Sequence, residues 1–251
     1  MRVGLMRGEF ELVYQPIVDV WTRKALCAEA LARWRHPTYG LMQPDQFIPL
    51  AEGTGLIAEL GDQILRQACR DAVAWPEHVK VAVNLSAVQF RNANLVEIIR
   101  SALDDAGLPP SRLEIEVTET VLLERQSNCL TSLNQLRDLG VSVALDDFGT
   151  GYSSLSYLNL FPFDKIKIDK SFTQSVTERA NCATIVNSIL ALGRSLGITT
   201  IVEGVETDSQ LEFIRAAGAT LAQGYLLGRP VPAALLKFDS TEARPSAKTA
   251  A

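Results

Sequence analysis

Two adjacent aspartates, Asp146 and Asp147, close an apolar run and lead straight into the pliable stretch FGTGYSSL (148–155). Like charges side by side raise each other's energy unless a cation sits between or beyond them. The same pattern recurs along the chain. Apolar runs carry, at or near their ends, Glu29, Asn84, Glu116 with Glu119, Lys167 with Asp169, Glu203 with Glu206, and Gln223. Burying that many carboxylates without cations costs several kcal/mol each. One lysine cannot neutralise them; a divalent metal can. Neither His36 nor His78 stands at the end of such a run, and no cysteine does. That disfavours zinc and copper and suits Mg²⁺ or Mn²⁺ on oxygen ligands. Neighbouring strand residues point to opposite faces, so Asp146 and Asp147 reach one site only where their strand is ending. One carboxylate then bridges two ions about 4 Å apart, the spacing at which two-metal sites work on phosphoesters.

The elements that must position these residues alternate. Strands are expected over 10–19, 25–34, 79–86, 112–119, 141–147, 164–169, 199–205 and 220–225, with helical patterns at 44–52, 57–74 and 94–106 and a helix running to Leu139. The short turn over 21–24 makes the first two strands antiparallel. The regular alternation beyond them means parallel strands with crossover helices. Eight strands in this length predict an α/β fold, a TIM-like (β/α)₈ barrel with an antiparallel first strand; a doubly wound open sheet is the alternative. In such a barrel the C-terminal strand ends build the active site. Alternation does not decide between Lys165 and Lys167. Lys165 is expected to be solvated, and Arg35 to be an ordinary surface cation.

At 251 residues and 47% hydrophobic, the chain can form one large domain, expected over 1–238. The polar, short-sided tail 239–251 is expected to be disordered. A formal charge of −5 weighs against gripping a nucleic-acid polymer. It leaves open a small anion held through metal. Cys27, Cys69, Cys129 and Cys182 form no CxxC pair and read as free, buried thiols in a reducing compartment. No apolar run reaches membrane-spanning length and the N-terminus lacks a signal-peptide core, so a cytoplasmic location, or the cytoplasmic part of a larger protein, is expected.

On these residues the chain resembles the EAL-domain cyclic di-GMP phosphodiesterases. The name-giving Glu29-Ala30-Leu31 lies inside AEALARW, with YQPIVD upstream; NLS (84–86), EVTE (116–119), DDFGTGYSSL (146–155), KIDKSF (167–172), EGVE (203–206) and QGY (223–225) follow in the family's order. A lone tripeptide carries nothing, but linked motifs over about residues 8 to 238 are specific. Ala32 and Phe161 stand where leucine is usual, and neither change removes a ligand. The resemblance implies that Glu29, Asn84, Glu116 and Asp146 bind one metal, with Asp146 bridging to a second that Asp147 also holds. Mg²⁺ or Mn²⁺ would serve, and Ca²⁺ would inhibit. Lys167, selected over Lys165 by the KID motif, would orient or activate water. Glu203 would anchor water, and Glu29 would share in catalysis. Gln15 and Arg33 would contact substrate, and Gln223 would hold the water network or the guanine side. Glu119 would anchor the GTGYSS loop, near which a homodimer interface is implied. The implied reaction opens cyclic di-GMP to linear pGpG in bacterial second-messenger signalling, downstream of a sensor or GGDEF domain. A receptor that binds without cleaving would lack ligands or the lysine. A general nuclease fits the acidic balance poorly.

Overall fold

The computed structural model describes residues 1–123, 127–150, 158 and 161–238. The expected disordered tail at 239–251 and the serines of the GTGYSS loop lie outside them. Strands β1 (Phe10–Asp19) and β2 (Ala25–His36) form an antiparallel hairpin, paired from Phe10 opposite Trp34 to Val18 opposite Ala25. The Asp19 carboxylate closes the turn by accepting the backbone N–H groups of Trp21 and Thr22 at 3.0 and 2.7 Å. A short β3 (Gly40–Met42), not anticipated from sequence, adds antiparallel to the outer end of β2.

The chain then alternates. Strands β4 (Lys80–Asn84), β5 (Leu113–Thr118), β6 (Ser142–Phe148), β7 (Lys165–Ile168), β8 (Thr199–Val202) and β9 (Leu221–Ala222) pair parallel in sequence, starting from β2. β9 meets β1 antiparallel at Val18–Ala222 and closes the ring. Eight strands make the barrel, and β1 alone runs against its neighbours. Closure rules out the open sheet. Helices α1 (Arg2–Met6), α2 (Pro44–Thr54), α3 (Ile57–Val73), α4 (Leu95–Ala106), α5 (Glu119–Leu123), α6 (Ser127–Leu139), α7 (Lys170–Gln174), α8 (Ala180–Leu196) and α9 (Asp208–Ala216), with short 3₁₀ turns at Gln89–Arg91, Pro110–Arg112 and Ala233–Leu235, complete the described elements. No described helix is long and apolar enough to cross a membrane.

Strand alternation here sorts two cores rather than core from solvent. On β5, Leu113, Ile115 and Val117 join the large apolar shell that includes Leu133 and Leu136 of α6. Each such buried side chain contributes roughly 1.5–3 kcal/mol. Ile17, Cys27, Ala82, Ile201 and Leu221 pack together as a separate small plug, four of them fully buried. All four cysteines are buried and none is in a disulfide, as expected.

Candidate active site

Following the register past this plug, the alternation brings polar side chains onto one layer. Glu29 of β2 lies opposite Gln15 of β1, and Asn84 of β4 lies level with Glu116 of β5. Lys167 of β7 fills the centre, 1% exposed, its Nζ at 2.8 Å from Glu116, 2.8 Å from Glu203, 3.2 Å from Asp146 and 3.5 Å from Glu29. Glu29 also accepts hydrogen bonds from Asn84 Nδ2 and Gln223 Nε2, both at 2.7 Å. Gln223 donates further to Gln15 at 3.2 Å, and Gln15 donates to the Gly228 carbonyl at 3.0 Å. Residues 208 positions apart in the chain thus share one network.

One ammonium facing four carboxylates cannot satisfy all of them. Burial opposes the Lys167 charge, but Asp146, Glu116, Glu203 and Glu29 together hold its pKa well above the ordinary lysine value. Burial also favours the neutral form of each carboxylate. In Glu29 that effect is outweighed by Lys167 and by the amide donors of Gln223 and Asn84, and its pKa falls. Glu116 goes the other way, well up, because burial is joined by the charges of Glu29 and Asp146. Asp146 rises through burial and Glu29. Glu203 rises to about 8 from burial, reinforced by Asp146 and Glu29 against the pull of Lys167. A layer that strains to keep its protons is short of positive charge.

Asp147 reaches the site by a route the sequence did not show. The strand does not end there; it continues to Phe148. Asp147 instead adopts a left-handed backbone (φ 55°), uncommon for a non-glycine residue, and the β6–β7 register slips between Leu145 and Phe148. Burial and the neighbouring charges of Asp146 and Asp169 lift its pKa to about 6. Next in the chain, Gly149 (φ 99°) donates its N–H to Glu119 Oε1 at 3.1 Å. A Cβ at Gly149 would stand 3.0 Å from the Phe172 ring.

The layer floors a cleft of about 600 Å³ that Arg33 and Glu206 also line. Arg33 donates to the Ala32 carbonyl at 2.8 Å. Sequence reasoning missed several lining residues, among them Gln43, Pro44, Asp45 and Lys170. Gln43 caps α2, Pro44 and Asp45 begin it and Lys170 begins α7, positions whose spacing carries no chemical pattern. Tyr225, stacked under Arg229 at 4.5 Å, could have been found beside Gln223 in QGY. Gly224 between them is obligatory: a Cβ there would lie 2.1 Å from the Val205 carbonyl oxygen. Two expectations about cations part company. Arg35 is an exposed partner of Glu11, as expected. Lys165 is not solvated but pairs with the buried Glu114 inside the barrel at 2.7 Å, because a period of two sends residues 165 and 167 to the same inner face.

The donors fit a divalent cation. Glu29, Glu116 and Asp146 each offer an oxygen within 4.8 Å of the others, and so do Asp146, Asp147 and Glu203. Asp146 belongs to both groups. Glu116 Oε1 is buried with no hydrogen-bond partner, an orphan of the kind that coordination satisfies. The donor set is all oxygen and mostly anionic, the chemistry of hard cations.

Fold and site together define an α/β barrel with a lysine-centred, all-oxygen pocket of the divalent-metal type. The chain belongs to the EAL domain family, whose sequence model matches residues 1–230. It is 45% identical over 237 residues to the bifunctional diguanylate cyclase/cyclic di-GMP phosphodiesterase MucR of Pseudomonas aeruginosa, a match covering 93% of this chain and 35% of that one. It is 44% identical over 241 residues to the cyclic di-GMP phosphodiesterase NbdA of the same organism, covering 94% and 31%. Among solved structures, the PaMucR phosphodiesterase in complex with c-di-GMP superposes with a TM-score of 0.89 at 45% identity, covering 93% of this chain and 96% of that one. The chain therefore spans about a third of the length of these curated relatives.

Proposed function

We propose that this chain hydrolyses cyclic di-GMP to linear pGpG and serves as an output module of bacterial second-messenger signalling. The observation that carries the reading is the doubled carboxylate cluster sharing Asp146 beside the buried Lys167. In it, Glu29, Asn84, Glu116 and Asp146 would hold one ion, and Asp146 and Asp147 would hold a second. Mg²⁺ or Mn²⁺ would suit the oxygen donors, and Ca²⁺, which takes more ligands in a looser shell, would inhibit. When bound, the ions lower the pKa of an attacking water and stabilise charge on the attacking and leaving oxygens.

The remaining work falls to the chain's own residues. Lys167 presents a fixed charge, pre-organised by carboxylates on four strands or strand ends, to the developing negative charge on phosphorus oxygens. Glu203, 2.8 Å from Lys167, holds the attacking water in line. Arg33 pairs with a phosphate from the cleft wall, while Gln15 and Gln223 orient the substrate and its water. Glu119 fixes the backbone after Asp147 through Gly149, which keeps the two aspartates in place. A cleft of about 600 Å³ suits a compact dinucleotide.

The same reading includes a domain over 1–238, a cytoplasmic location, a homodimer near residues 147–155, and a sensor or GGDEF domain in the full-length protein. A relative that is itself a bifunctional cyclase and phosphodiesterase supports the last of these. Incubation with cyclic di-GMP in Mg²⁺, Mn²⁺ or Ca²⁺, followed by chromatography, tests it. Product is expected with the first two ions and not the third. Equal rates in Ca²⁺ and Mg²⁺ would reject the ion assignment.

A further inference from the structure

Strand β5 sends two glutamates into the barrel, Glu114 and Glu116, and β7 sends two lysines, Lys165 and Lys167. Each pair is two residues apart, roughly 7 Å along its strand. The register sets which of them lie level. Ala144 of β6 stands opposite Glu116 on one side and opposite Lys165 on the other. Along the ladder Lys165 thus follows Glu116 with only a methyl group on the wall between them, while the tilt of barrel strands puts Lys167 in the layer of Glu116 and Lys165 in that of Glu114.

The observed pairing follows these layers. Lys165 Nζ lies 2.7 Å from Glu114 Oε2 and 3.0 Å from Glu114 Oε1, while Lys167 takes Glu116 at 2.8 Å. Glu114 is fully buried, and the Lys165 side chain is 13% exposed. Burial works against the Lys165 charge and Glu114 holds it, with Glu116 adding a weaker attraction of its own. An ammonium in that position, deprived of Glu114, has one obvious acid to turn to.

We propose that Glu114 is a positioning residue: by engaging Lys165 it keeps Glu116 on Lys167 and leaves Glu116 Oε1 open to a cation. The inference rests on the reading of Glu116 as a metal ligand. Its content is the sorting of two lysines between two acids, in which Glu114 touches neither substrate nor ion. Loss of the Glu114 charge, and not loss of the ion pair as such, is what should disturb the site above.

Mn²⁺ binding without substrate, followed by the loss of the free-ion electron paramagnetic signal, tests this on four proteins. Glu114→Gln is expected to weaken Mn²⁺ binding about tenfold, because Lys165 turns to Glu116. Lys165→Met breaks the same pair and should lower the melting temperature comparably, yet bind Mn²⁺ as the parent does. The double variant Glu114→Gln/Lys165→Met should return affinity to within about threefold of the parent. A purely structural pair would make the two single variants alike in Mn²⁺ affinity, and that result would overturn the proposal. So would a double variant as weak as Glu114→Gln. A parent that binds no Mn²⁺ would overturn the metal reading itself, and this inference with it.

Discussion

Replacing Lys167 by methionine keeps most of the side chain's volume and removes the charge around which the layer is built. Four carboxylate oxygens lie between 2.8 and 3.5 Å from its Nζ. At an effective dielectric of 20, each such contact is worth about 5–6 kcal/mol of attraction, and desolvation of the five ions offsets most of the sum. What survives is the cost of breaking a buried pair from one side, about 3–5 kcal/mol. For a chain of this size that is a fall in melting temperature of roughly 10 °C. The fall should be seen in chelator, where nothing replaces the ammonium. Added Mn²⁺ should bind more tightly than in the parent and restore much of the lost stability. Turnover should not return: removing one pre-organised charge from the transition state lowers kcat by about 100- to 1,000-fold, with KM little changed. Calorimetry with and without Mn²⁺, paired with steady-state kinetics, reads both effects. An unchanged melting temperature in chelator, or an intact kcat with a raised KM, would refute the reasoning.

Glu29→Ala should abolish turnover, because it deletes an acceptor that Asn84, Gln223 and Lys167 all converge on; activity within about tenfold of the parent would count against Glu29 as a ligand. Glu119→Ala should lower activity and raise the Mn²⁺ concentration needed for half-maximal rate, since it removes the acceptor of the Gly149 N–H. An unaltered metal dependence would remove the tether from the mechanism. The metal-free protein should lose stability as pH rises. The folded state holds Glu203 at about 8 against an ordinary 4.5, so it binds the proton more tightly than the unfolded chain does. That contribution is complete below about 4.5 and is lost as pH climbs through about 8. Melting temperatures in chelator from about pH 6 to about pH 9 check the sign, and a rise over that window would contradict it.

The barrel and most of its site were legible because inner and outer faces differ in chemistry. On β5, alternate residues are apolar toward the helices and glutamate toward the axis, so a strand buried on both faces still reads with a period of two. The same rule failed where depth, rather than direction, decided. Lys165 and Lys167 share a face, and only the packed side chains show that one is sealed beside Glu114. Alternation also could not supply the left-handed turn at Asp147, since the bulge that permits it is a property of two paired strands. β3 was missed because three residues after a histidine and a proline carry no periodicity. Tyr225 enters the cleft from a loop, and Gln43, Pro44 and Asp45 enter it from the N-terminal end of α2, whose direction no spacing encodes.

The most direct test of metal-dependent hydrolysis is to incubate the protein with cyclic di-GMP and Mn²⁺ in ¹⁸O-labelled water and weigh the product. Linear pGpG carrying a single heavy oxygen on its terminal phosphate, and no product once the metal is chelated, is the predicted result. Absence of pGpG, or cleavage that proceeds undiminished in chelator, would contradict the account.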